Sequence, residues 1–187
     1  MNIPLRLSLG ALTLALWLWP GCRCYGGFDV FLKVARIDGE SQDTNYPGYS
    51  RVLSFSFGVS QASGVLQSSG LTITKVLDKA SPKLMEACAE GTRLPNATLI
   101  VRRSEGTNKV EVMKYTFTDI LVASNGHKKE IDVLSGGPDG SPGTSAVPTE
   151  AISLNYGIID ISYQETDQNG APVGAAVEGT AALPLTP

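Results

Sequence analysis

Acyl transfer, metal-assisted hydrolysis and phosphate capture each need particular side chains at particular spacings, and this 187-residue chain supplies few of them. A triad needs a base beside its nucleophile, and the one histidine, His127, stands in the polar run His-Lys-Lys-Glu130. It reads as a solvated loop residue. Of the three cysteines, only Cys88 follows Tyr25, so the body can build neither a disulfide framework nor a Cys-based zinc site. Cys88 falls on the apolar stripe of an expected helix and reads as a buried, inert thiol. The loop Gly136-Gly-Pro-Asp-Gly-Ser-Pro-Gly143 lacks the Lys-Ser/Thr ending of a phosphate cradle and reads as a flexible connector. Asp132 and Asp139 match no calcium-loop spacing. Arg102-Arg103 with Lys109 offers a small anion patch, yet reads better as a solvated hairpin end. An acid/base hydrolase would need carboxylates assembled by the fold alone. No catalytic residue, cofactor or metal site is therefore expected.

The elements that would position these residues are strands. Phe28, Val30, Leu32 and Val34 alternate with Asp29 and Lys33, as one buried face requires. Leu53, Phe55, Phe57 and Val59 give a second such run, and Leu71, Ile73 and Leu77 a third. Ala97-Thr-Leu-Ile-Val101 is a short apolar run before Arg102-Arg103, which suits a strand covered on both faces. Two longer runs, Lys109 to Ser124 and Glu150 to Gln164, change phase near Val112–Met113 and Ile158–Ile159. A bulge or sharp bend at each place would switch the inward face. Long bent strands of this kind suit a barrel of two coiled sheets. One helix is predicted, with Ser81 as N-cap, Pro82 at its first position, Leu84, Met85 and Cys88 on one stripe, and Gly91 past its end. Residues 125–147 are polar and loop-like, and residues 166–187 read as a tail that is flexible or loosely held.

The first 24 residues have a different character. Arg6 precedes the apolar run Leu7 to Trp19, which is too short to span about 30 Å of hydrocarbon and ends at Pro20-Gly21-Cys22. It reads as an export leader, leaving one domain over residues 25–187. The leader holds no Asp or Glu and removes Arg6 and Arg23 from the 15 Lys/Arg, so the formal charge moves from −3 to −5. An acidic body of that kind disfavours a nucleic-acid surface, which needs clustered cations. Membrane contact is expected only if the leader is kept or Cys22 is lipidated.

Taken in order, these segments resemble one family. Phe28-Asp-Val-Phe-Leu-Lys33, Ile37-Asp-Gly-Glu-Ser41, Leu53-Ser-Phe-Ser-Phe-Gly-Val-Ser-Gln61, Asp78-Lys-Ala-Ser-Pro82, Tyr115-Thr-Phe-Thr-Asp-Ile-Leu-Val122 and Pro148-Thr-Glu-Ala-Ile-Ser-Leu-Asn-Tyr156 are similar to the Hcp (haemolysin-coregulated protein) family of type VI secretion systems. The likeness covers nearly all of Phe28 to Tyr163. It implies an antiparallel β-barrel with one flanking helix, six copies in a ring, and rings stacked into a tube that carries effectors. It also implies sheath, spike and effector proteins as partners, with assembly in the cytoplasm and delivery outside the cell. Residues 58–70 correspond to the family's extended loop, which makes Gln61, Ala62, Ser63, Gly64, Val65, Leu66, Gln67 and Ser68 the expected inter-subunit contact. The leader keeps one alternative open, an exported periplasmic or lipid-anchored Hcp-like binding or adhesion module.

Overall fold

The computed structural model describes residues 27–105, 108–122, 132–134, 148–167 and 169–183. Alternation builds β1 (Phe28–Val34), with Val30, Leu32 and Val34 in the core and Phe31 buried on the opposite face. Phe28, expected inward, is 64% exposed because it lies past the end of the core. β2 (Ser50–Ala62) and β3 (Val65–Val76) form a long hairpin. A register shift between Val52 and Ser54 makes Leu53 an extra residue, so Val52 and then Phe55 and Phe57 face inward while Leu53 is exposed. The expected pattern placed Leu53 inside. A single bulge accounts for the difference.

The helix α1 (Ser81–Glu90) has its proline in the first turn and ends on Gly91 at φ 67°, whose N–H reaches Ala87 and Cys88 carbonyls. Ala80, not Ser81, is the N-cap. Met85 is 47% exposed, and the buried stripe is Leu84, Ala87 and Cys88. β4 (Arg93–Glu105) buries Ala97 and Leu99 on one side and Ile100 on the other, as expected of a strand covered on both faces. β5 (Asn108–Val122) carries the predicted bulge, since Val101 pairs with Met113 while Arg102 pairs with Glu111, leaving Val112 between them.

β6 (Asp132–Leu134), β7 (Thr149–Asn155), β8 (Ile158–Tyr163) and β9 (Val177–Ala182) complete the sheet. All pairings are antiparallel, in the order β6-β7-β3-β2-β1-β4-β5-β8-β9, with an added contact between β7 and β5. That contact returns the sheet to itself, so β7, β3, β2, β1, β4 and β5 form a closed circuit. β8 and β9 extend from it as a flange. Asn155 pairs with Leu121 and Ile158 with Thr118, so neither strand inserts a residue between those pairs. The phase change there is a bend at Tyr156–Gly157, not a bulge. Opposite it, Asp119 sits at φ 56°, which also flips the parity of β5, burying Ile120 and Val122 where Leu121 was expected.

Val177–Ala182, expected within a tail, pairs with β8 along its length. The core runs along the circuit, where Phe57 meets Tyr115 and Phe117, and Phe117 meets Tyr156 edge to face at 4.8 Å. No helix among the described residues is long and apolar enough to cross a membrane. The leader with Cys22, His127, Asp139 and the loop 136–143 lie outside the described residues.

Phe117 is wholly buried at the centre of this ring cluster. Phe117→Ala is expected to lower the unfolding free energy by about 3–5 kcal/mol in a urea titration. A loss under about 1 kcal/mol would show that the ring cluster does not anchor the core.

Candidate functional site

The expected contact segment, Gln61 to Ser68, is the end of the β2–β3 hairpin. Its backbone is a paired arm and not an open loop: Val59 faces Ser68, Ser60 faces Gln67, Gln61 faces Leu66, and Ala62 faces Val65. Ser63 and Gly64 both have positive φ, 52° and 80°, which matches the twist of the primed two-residue turns. At its base, a second register shift opposes Phe57–Val59 to Ser68–Leu71, with Gly70 at φ 71°. A Cβ on Gly70 would meet Asn155 Oδ1 at 2.9 Å and the Leu154 carbonyl oxygen at 3.1 Å, so only glycine fits this kink. Beyond it the arm leaves the barrel. β1 pairs with β2 only through Arg51 and its two neighbours, and β7 meets β3 only from Leu71 onward. Among the described residues, the outer edges of the arm have no ladder partner. Ser60, Gln61, Ser63, Gly64, Gln67 and Ser68 are exposed.

Two buried charge clusters were not expected. Arg102, read from sequence as part of a solvated hairpin end, is only 2% exposed. The Val112 bulge and the β4 register place it beside Asp29 on β1, and the connector 35–49 folds back over it. Its Nη2 donates to Asp29 at 2.9 Å and to Asp43 at 2.5 Å, and its guanidinium lies over the rings of Phe31 and Tyr46 at 5.0 and 5.3 Å. Lys109 completes the charge balance, 3.3 Å from Asp29. Burial alone would raise Asp29, but hydrogen bonds from Arg102 and Lys109 outweigh it and hold the carboxyl below its usual range. The Arg102 hydrogen bond likewise lowers Asp43. Burial first, and then the Glu111 carboxylate that accepts its hydroxyl hydrogen at 3.2 Å, push Tyr46 up to about 12. Neither acid nor phenol is tuned for proton transfer near neutrality; the cluster fastens the connector to the sheet.

The second cluster ties α1 to the barrel. Lys75 and Glu150 are fully buried and lie 2.7 Å apart, with Asp78 2.6 Å from the same ammonium. The Ser81 hydroxyl donates to Glu150 at 2.6 Å and accepts from Lys75 and from the Asp78 N–H. That occupation explains why Ser81 does not cap the helix. Sequence parity held the signal: Lys75 shares the inward phase of Leu71 and Ile73, and Glu150 that of Ile152 and Leu154. An inward Lys and an inward Glu need each other.

Cys88 is buried and forms no disulfide. Asp132 sits on the backbone ladder of β6 opposite Ala151. Among the described residues no cluster of metal-ligating side chains forms. A cleft of about 560 Å³ does open between the connector 35–49 and the barrel, bordered by Asp29, Glu40, Asp43, Arg51, Arg102 and Lys109.

This fold is similar to that of solved type VI secretion proteins. Hcp1 from Salmonella typhimurium superposes with a TM-score of 0.66 at 29% identity, covering 83% of this chain and 94% of that one. A second solved protein, described as a type six secretion system protein, gives 0.69 at 27% identity, covering 84% and 96%. The family model described as "Type VI secretion system effector, Hcp" matches residues 31–163. Protein hcp1 of Pseudomonas aeruginosa is 32% identical over 160 residues, which are 80% of this chain and 91% of that protein. The chain belongs to the Hcp family. It is a subunit of the type VI secretion tube, and the exported binding module is not favoured.

Asp29 and Asp43 titrate lower in the folded state than when unfolded. The stability they lend is thus full above the unfolded value of about 3.9 and drains as pH falls through their lower folded values. Arg102→Met should cost on the order of 1–3 kcal/mol at neutral pH and flatten the loss of stability between about pH 4 and pH 2. Thermal midpoints stepped from pH 6 downward would read this. Parallel curves for the two proteins would rule out Arg102 as the group that depresses both acids.

Proposed function

We propose that six copies of this chain close into a ring, that rings stack into a hollow tube, and that the arm at Gln61–Ser68 seats against an adjacent copy. The observation that carries this is the arm itself: a paired hairpin, clear of the barrel, with exposed side chains and two edges that have no ladder partner among the described residues. In an isolated molecule such edges invite uncontrolled pairing, and contact with a defined neighbour removes them. The contact is head to tail, because arm and receiving surface are different parts of the molecule. Head-to-tail interfaces close into rings when the rotation permits and otherwise propagate as open stacks.

The work proposed is mechanical, not enzymatic: a conduit carries effectors in its bore and is driven outward by a contractile sheath behind a spike. Sheath, spike and effector proteins are accordingly its partners. Assembly in the cytoplasm followed by delivery outside the cell is the route that fits such a device. The leader at residues 1–24 and the domain 25–187 remain the proposed division of the chain.

Removing Gln61–Ser68 and joining the strands with a two-residue turn should leave the barrel folded, with its thermal midpoint within a few degrees. Tubes seen by negative-stain electron microscopy should shorten several-fold. Tubes of unchanged length from the arm-deleted protein would refute the contact assigned to this segment.

A further inference from the structure

Resting on the ring-and-stack reading, we infer that the cleft between the connector 35–49 and the barrel is the socket into which the arm of a second copy inserts. The cleft carries charge of both signs in near balance, with Asp29, Glu40, Asp43 and Asp78 facing Arg51, Arg102 and Lys109. A charged occupant would meet a like charge wherever it lay. An amide suits such walls, since its carbonyl oxygen accepts from cations while its NH₂ donates to carboxylates.

The arm is built of matching chemistry. From Val52 to Thr74 the chain contains no Asp, Glu, Lys or Arg, and the tip offers Gln61 and Gln67 with the hydroxyls of Ser63 and Ser68, all exposed. The cleft also has unmet hydrogen-bonding capacity. Arg102 spends only Nη2 on its two carboxylates, and its Nε and Nη1, both buried, find no acceptor among the described residues. Buried donors are nearly always paired in a finished assembly. A glutamine carbonyl from a neighbour supplies an acceptor that the described residues do not, once the connector covering these donors parts to admit it. Arm and cleft are separate surfaces, so their union is head to tail, as stacking requires.

Cysteine pairing in the full-length protein tests this. Glu40→Cys and Gln67→Cys are purified separately, mixed, assembled and oxidised, with the unsubstituted chain setting the background from Cys22, Cys24 and Cys88. The mixture should give covalent dimers at least tenfold above either variant alone. Arg51→Cys mixed with Gln67→Cys reads the same socket from another wall, so one poorly folding variant does not end the test. Met85→Cys mixed with Gln67→Cys, on the exposed side of α1, should stay at background. Annular particles with no dimer from either socket pair would overturn the inference while leaving the ring reading intact, and so would equal dimer from the Met85 control. If no particles form at all, the ring reading fails and takes the inference with it.

Discussion

Closure of the strand circuit is the constraint on which the rest of this structure depends. It is achieved by a short contact, Leu121 and Val122 of β5 against Asn155 and Leu154 of β7. The same edge of β5 then passes to β8 without a change of register. One edge thus serves two purposes, sealing the barrel at one end and carrying the flange of β8 and β9 at the other. The hand-over happens where Pro95 of β4, Asp119 of β5 and Gly157, in the bend between β7 and β8, fall level in the register. Proline withholds a ladder donor, Asp119 takes a positive φ, and Gly157 steps out of strand geometry. The Arg93 guanidinium holds Asp119 through both carboxylate oxygens at 2.8 and 2.9 Å, outside the core, where solvent makes such a pair worth little by itself. The corner therefore rests mainly on backbone geometry and on the core packed inside it.

Given a closed barrel, the two buried charge clusters have a common physical logic. Each fixes a non-strand segment onto the wall: Arg102 the connector 35–49, and Lys75 with Glu150 the start of α1. Buried ions are weak contributors to net stability but exacting about position, since an unpaired one is strongly disfavoured. A tube subunit benefits from that exactness. Its outer segments must present the same surface in every copy, because small errors accumulate along a stack. Apolar packing alone would hold these segments down without fixing where each atom lies.

Much of the barrel was legible because alternation records burial directly. Val30, Leu32, Ile73 and Ile152 declare their faces, and Gly91 and Pro82 frame the helix through backbone preferences that need no tertiary context. The phase change at Val112 was visible for the same reason. Leu53 and Leu121 were misread because an inserted residue at the one, and the positive φ of Asp119 before the other, reset parity without leaving a compositional mark. Arg102 was misread because its partners lie 73 and 59 residues away in sequence, so nothing near it predicts burial. The pairing of the arm was not seen: serine and glycine between residues 58 and 70 resemble a loop, and strand order there comes from the turn at Ser63–Gly64.

The central claim is that this barrel exists to meet copies of itself. Light scattering coupled to size-exclusion chromatography, run on the full chain at increasing protein concentration, tests it most directly. The account predicts a species of six times the 19.7 kDa chain mass, with larger stacked forms growing as concentration rises. A single species at one chain mass across the whole concentration range would contradict it.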